Sequence, residues 1–293
     1  MRFSILIPSW NNLEFLKLCV RSFRLNSRYP HQIIIHVNQG SDGTLEWVKS
    51  EGLEYTYSEQ NIGVCWALNG MRPLVKTDYI AFANDDMYAL PDWDFYLEQE
   101  ILRLGHKLFF LSSTLIQPRK FFCSAIIAPQ DYGQGVEDFR EADLLRDFAT
   151  FAHPDWFGST WPLNVVHRDT WDMVGGYSVE YSPGMYSDPD FSAKLWMAGV
   201  RYFKGISRSR LYHFEARSTA RVTKNNGSRQ FLFKWGITSS SFMRNVLRRG
   251  EPFDETKLLD INTLPLKKDI LRSRLKRILE SVKKTGNAKT LWQ

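Results

Sequence analysis

The chain has 293 residues, 43% hydrophobic and 24% charged, with ten Trp, twelve Tyr and twenty Phe. That length supports a sizeable core in one large α/β domain or two closely joined ones, and excludes a small disulfide-held scaffold. The net charge of +6 resides wholly in Pro265 to Lys284, where eight Lys/Arg accompany Asp269 and Glu280. The remainder sums to zero, so a folded body that grips nucleic acid is not expected.

Three cysteines, Cys19, Cys65 and Cys123, stand far apart with no C-x-x-C pair. This argues against a disulfide framework or a zinc site and for a reducing compartment. The apolar run at the start is too short for a signal-peptide core, and no run reaches the roughly 18 residues of a membrane span. The expected location is cytoplasmic.

The first hundred residues alternate short apolar runs with helical patterns, the signature of βα units around a mostly parallel sheet. Phe3 to Pro8 forms the first expected strand, and Asn11 or Asn12 caps a helix with Leu13, Leu16, Cys19, Val20 and Phe23 at helical spacing. Further strands are expected at Gln32 to Val37, Leu53 to Tyr57 and Tyr79 to Ala83. Helices are expected at Thr44 to Ser50 and Asn61 to Met71. Ligands of open α/β sheets bind beyond the carboxyl ends of strands, which makes Pro8-Ser9, Asn38 to Ser41 and Asn84 to Asp86 one candidate rim.

Beyond Leu102 the pattern loosens. Apolar runs occupy Leu108 to Leu111 and Phe121 to Ala128, and a helix is expected over Val136 to Thr150. Trp161 to Val166 has strand character. Arg168 to Val174 is a helix ended by Gly175-Gly176, and Asp188 to Met197 another ended by Gly199.

Three features carry chemistry. Asp85 and Asp86 close an apolar strand, and paired carboxylates there repel unless a cation sits beside them; a solvated acidic turn is the plainer alternative. Asp188 opens a helix, where it serves either as a cap or as a general base near an acceptor hydroxyl. His213 follows a short apolar strand and is either structural or a metal ligand beside a carboxylate.

Taken in order, these residues resemble the family 2 glycosyltransferases of the GT-A fold, a Rossmann-like α/β architecture. Ser4 to Asn12 is similar to that family's first strand and loop, and Val37 to Thr44 to its second-strand motif. Asn61-Ile62-Gly63 with Ala67 and Asn69 matches the following helix, and Asn84-Asp85-Asp86 the acidic metal motif. Gly175-Gly176-Tyr177 looks like the glycine loop. The resemblance spans about residues 3 to 214.

It implies a sugar transfer from a nucleoside diphosphate to an acceptor hydroxyl of a glycan or lipid-linked saccharide, inverting, with Asp188 as base. Asp86 and His213 would hold Mn²⁺ or Mg²⁺, Mn²⁺ being favoured if the histidine coordinates. Pro8, Ser9, Asn38, Asn61 and Asp85 would line the donor site, and Trp161, Gly176 and Tyr186 the acceptor site. One departure is Asn38, where the family usually has an aspartate; uracil remains favoured over guanine. The implied division is a donor half (1–102), an acceptor half (103–217), and a loop with a basic helical extension (218–293).

Two other readings remain. A nucleotidyltransferase would be expected to show a glycine-rich, basic loop after the first strand, which Pro8 to Asn12 lacks. A non-catalytic carbohydrate-binding protein could retain the fold, with the acidic residues capping turns. In the tail, Leu266, Ile270, Leu275, Ile278, Leu279 and Val282 recur at helical spacing beside the basic residues. The segment 265–284 thus suits either an anionic membrane surface or docking on the protein's own body. Thr219 to Arg229 is expected to be a loop that closes over the donor phosphates.

Overall fold

The computed structural model describes residues 2–215, 225–258 and 264–285. Strands β1 (Phe3–Trp10), β2 (Gln32–Asn38), β3 (Glu54–Ser58) and β4 (Tyr79–Phe82) alternate with helices α1 (Leu13–Asn26), α2 (Thr44–Ser50) and α3 (Gly63–Met71). There follow β5 (Met87–Ala89), α4 (Trp93–Leu104), β6 (Phe109–Ile116), β7 (Ile126–Ile127), α5 (Glu141–Asp147), β8 (Trp156–Phe157), β9 (Asn164–His167), α6 (Arg168–Val174), α7 (Ser187–Met197) and β10 (Tyr202–His213). The chain continues through α8 (Gly227–Trp235), α9 (Ser239–Ser241) and α10 (Leu264–Thr285).

All ten strands belong to one sheet in the order β3-β2-β1-β4-β9-β6-β10-β5, with β7 on β6 and β8 on β10. The β3-β2-β1-β4 half is parallel, as the βα alternation requires. Strand β9 enters antiparallel to both β4 and β6, and β6 then pairs parallel with β10. Apolar side chains cover both faces: Ile5, Ile7, Leu16, Val20 and Phe23 on one, Leu6, Ile34, Leu68, Phe110 and Phe191 on the other.

Local chemistry places several boundaries differently from the sequence expectation. Neither Asn11 nor Asn12 caps α1 with its side chain; Leu13 N–H donates instead to Asp42 Oδ2 at 2.9 Å. Asp42 Oδ1 also accepts from Thr44, so one carboxylate serves the starts of α1 and α2. Strand β6 runs on through Ser112, Ser113 and Thr114, whose buried hydroxyls bond to Ser159, Ser209 and the Ile206 carbonyl. The expected helix over 136–150 is confined to α5 and a 3-10 turn at Phe148–Thr150, and the expected strand over 161–166 starts at Asn164.

Helix α10 docks one face on the body. Leu266 and Ile270 pack against the core, and Asp269 accepts from Arg244 and Asn245, both at 2.7 Å. Of the expected closing loop at 219–229, residues 219–224 lie outside the described residues. The remainder forms the start of α8, held by Asn225 Nδ2 donating to the Tyr181 carbonyl at 2.7 Å. No helix among the described residues is long and apolar enough to cross a membrane.

Candidate active site

The carboxyl ends of β1, β2 and β4 open into a cleft of about 580 Å³, within the roughly 300–1,000 Å³ typical of small-molecule sites. Pro8, Ser9, Asn38, Asn61, Asp85, Asp86, Trp161, Asp188 and His213 all line it. Parallel register explains the first group: Trp10 pairs with Asn38 and Asn38 with Ser58, so successive loops leave the sheet at one level. Asn11, Gln39 and Ser41 then bond across these loops and hold the rim.

Asn38 is buried, and its Oδ1 accepts the Ile62 N–H at 2.9 Å. That bond orients the amide. Asn61 Oδ1 accepts from Gly63 N–H at 2.9 Å, folding the chain into α3. His36 beneath is lowered to about 4 by burial, and its ring bonds to Thr56 and Ser58.

Asp85 accepts from Ser9 Oγ at 2.8 Å. Asp86 meets His213, with Nε2 3.4 Å from Oδ1, across 127 residues of chain. The antiparallel pairing of β5 with β10 closes that distance: His213 stands opposite Met87, and Phe214 N–H donates to the Asp86 carbonyl. Burial alone would lower the His213 pKa, but the charges of Asp86, Glu215 and Asp85 outweigh it and raise it. The cleft floor therefore carries a strong negative field.

Asp188 stands on the opposite wall, in the first turn of α7. Burial raises its carboxyl to about 7 against the opposing charge of Arg249. Its loop is held to the start of α3 by a backbone contact: Val64 N–H donates to the Pro183 carbonyl at 3.0 Å, beside Gly63. A Cβ on Gly63 would lie 2.6 Å from Pro183 Cα, and its φ of +78° independently favours glycine.

The model of glycosyl transferase family 2 matches residues 4–157, more than half of the chain. This chain is a family 2 glycosyltransferase. Its fold is accordingly GT-A. Among solved structures it is similar to S. aureus TarS 1–349, with a TM-score of 0.57 and 13% identity over 99% of this chain and 76% of that one. The same S. aureus fragment crystallised with UDP-GlcNAc gives a TM-score of 0.57 at 12% identity, covering 96% and 73%. The UDP complex gives 0.52 at 13% over 72% and 60%. Against a longer S. aureus TarS structure the match spans 99% of this chain and 46% of that one. At this identity the likeness concerns the fold. No curated protein matches the sequence.

Family 2 enzymes of the GT-A fold generally employ a divalent metal. In this glycosyltransferase no group of three or more His, Cys, Asp or Glu among the described residues is arranged to hold one. The groups that could hold one are a pair, Asp86 and His213. Gln117 supports that pairing, because its Nε2 lies 2.7 Å from His213 Nδ1 while its buried Oε1 has no hydrogen-bond partner. Turning the amide over would let Oε1 accept from Nδ1–H, so Gln117 can hold the ring in the tautomer that frees its other nitrogen for a cation placed between the ring and Asp86. Asp86 and His213 together could thus hold a divalent cation, with oxygen ligands completing its shell.

Two acceptor-site expectations place differently. Gly176 does not line the cleft: its backbone lies against Asn69, whose amide clasps both the N–H and the carbonyl of Tyr177. A Cβ there would be 2.3 Å from Asn69 Oδ1, so this glycine admits the clasp. Tyr186 has φ +71°, is exposed, and its side chain lies against Gly227 outside the cleft lining. Tyr186, not Asp188, occupies the N-cap position of α7. Trp161 does line the cleft, with the Arg249 guanidinium 3.8 Å over its ring.

The expected residue set omitted Gln117, Arg119, Glu215 and Met185, all of which line the cleft. Gln117 had a signal, since it follows a strand end as Asp85 does, but the Ser-Ser-Thr run disguised β6. Met185 and Arg249 carried none.

Proposed function

We propose that the cleft binds a nucleoside diphosphate sugar and transfers the sugar, by one inverting displacement, to an acceptor hydroxyl of a glycan or lipid-linked saccharide. The observation carrying this reading is that Asp188, with a carboxyl tuned to about 7, shares one cleft with the Asp86–His213 pair. A carboxylate near neutrality is matched to taking a proton from a hydroxyl. Solved S. aureus TarS structures in complex with UDP and UDP-GlcNAc support a nucleotide-sugar donor and favour uridine. Asn38 suits a pyrimidine: with Oδ1 held by Ile62, its Nδ2 is left to donate toward a uracil carbonyl.

In this reading the donor lies along Pro8, Ser9, Asn38 and Asn61, with the sugar directed toward Asp188. Asp188 removes the acceptor proton as the acceptor oxygen bonds to the anomeric carbon. The anomeric carbon's bond to the diphosphate oxygen breaks on the opposite side, and the proton passes from Asp188 to solvent. Asp86 and His213 would hold Mn²⁺ or Mg²⁺, which would supply charge neutralisation at the leaving diphosphate. Residues 1–102 would form the donor half, 103–217 the acceptor half, and 218–293 a peripheral extension.

A panel of nucleotide sugars with each metal, read by thermal shift and donor hydrolysis together, tests the donor site. Stabilisation by UDP plus metal, and not by metal alone, is expected; indifference to every nucleotide would overturn it. Asp188→Asn tests the base. Turnover is expected to fall about 10²–10⁴-fold with donor affinity kept, and the wild-type kcat/KM to rise with pH to a plateau above about 7. A variant of unchanged turnover would remove Asp188 from the mechanism.

A further inference from the structure

Helix α10 resolves into two unlike faces. Leu266, Asp269 and Ser273 are buried and Ile270 partly so, all on the side held against the body. Leu271, Leu275, Ile278 and Leu279 are 60%, 56%, 61% and 64% exposed. At 3.6 residues per turn these four lie together, directly opposite the docked side.

The flanks of this apolar stripe are basic and exposed: Arg272 and Lys276 lie along one edge, and Lys267 and Arg274 along the other, while Lys268 projects from within the stripe and Arg272 also reaches Asp269 at 3.3 Å. The sequence alternatives of membrane binding and self-docking are therefore not exclusive on this helix, because docking uses one face and leaves the other exposed.

We propose that α10 lies in the interfacial plane of an anionic lipid bilayer, apolar stripe down, and tethers the enzyme to that surface. Charge decides the occupant. The segment 265–284 holds the chain's whole net charge of +6, so a second copy packed stripe to stripe would set like charge against like. A nucleic acid would meet the basic edges but leave four large apolar side chains with nothing to cover them. A bilayer bearing anionic headgroups accepts both, the acyl boundary taking the stripe and the headgroups the Lys/Arg edges. Arg244 and Asn245, bonded to Asp269, hold the helix to the body while its outer face is engaged.

Flotation of the full chain with phosphatidylcholine vesicles, with and without phosphatidylglycerol, tests this independently of catalysis. Binding only to vesicles containing the anionic lipid is expected, weakening as salt rises. The variant Leu271→Ser/Leu275→Ser/Ile278→Ser and the variant Lys268→Glu/Lys276→Glu should each lower partitioning by about tenfold or more, with melting temperature and donor hydrolysis unchanged. Three results would overturn the proposal: no flotation of the wild type, flotation retained by both variants, or a serine variant that loses only self-association or RNA binding.

Discussion

The two walls of the cleft are made differently. The donor rim hangs on strand ends, where backbone register sets the level of Ser9, Asn38 and Asp85, and where β5 beside β10 brings His213 to Asp86. The facing wall is lined chiefly by loop residues, Trp161, Pro162 and Pro183 to Met185, positioned by close backbone approaches at Gly63 and Pro183 and by the Asn69 clasp. Sheet register tolerates many side chains. Loop placement by contact depends on single glycines and amides, so small changes there should travel into the site.

Asp86→Ala should have a larger effect on turnover than either Gly63→Ala or Gly176→Ala, since it removes one of the two side chains proposed to hold metal without disturbing the ladder. Turnover is expected to fall about 10³-fold, with the metal-dependent thermal shift by UDP lost and the melting temperature of the free protein nearly unchanged. Gly63→Ala should behave in the opposite way. The forced move of Pro183 and the positive φ should cost about 1–3 kcal/mol of stability, readable by denaturant titration, and should lower turnover about tenfold by displacing Asp188. If Gly63→Ala left both unchanged, the contrast between register and contact would fail.

Gly176→Ala separates packing from recognition on the loop side. Its φ of +63° and the 2.3 Å approach to Asn69 predict a stability loss of about 1–3 kcal/mol, while the KM for acceptor stays constant. A raised acceptor KM at unchanged stability would return Gly176 to the acceptor site.

The smallest effect concerns pH. With its pKa raised in the fold, Asp188 favours the folded state while protonated, and that contribution is lost as pH climbs from the ordinary 3.8 through about 7. Asp188→Asn should therefore melt higher than wild type above pH about 7 and equally below about 3.8. Melting curves across this range check the sign.

Legibility from the sequence followed the same division. Strands β1 to β4 and the rim residues could be recognised because apolar runs ended on Ser9, Asn38 and Asp85 at regular βα spacing. Helix α6 was equally plain, bounded by Gly175. Strand β6 was truncated in expectation because its buried Ser112, Ser113 and Thr114 look polar until their partners are known. Gly176 and Asn69 were both visible as motif members, yet only the folded chain shows that they meet each other. Arg249, beside Asp188 and Trp161, belongs to a segment that offered no periodicity to interpret.

The Val64–Pro183 bond stitches together stretches of chain that would otherwise adjust separately. Any remodelling of the 183–186 turn to admit a bulkier acceptor would pull on the start of α3, and through Asn61 and Ile62 on the amide of Asn38. Under the proposed function this bond joins the recipient side to the nucleotide side, and variants selected for a new recipient should also drift in their preference among bases.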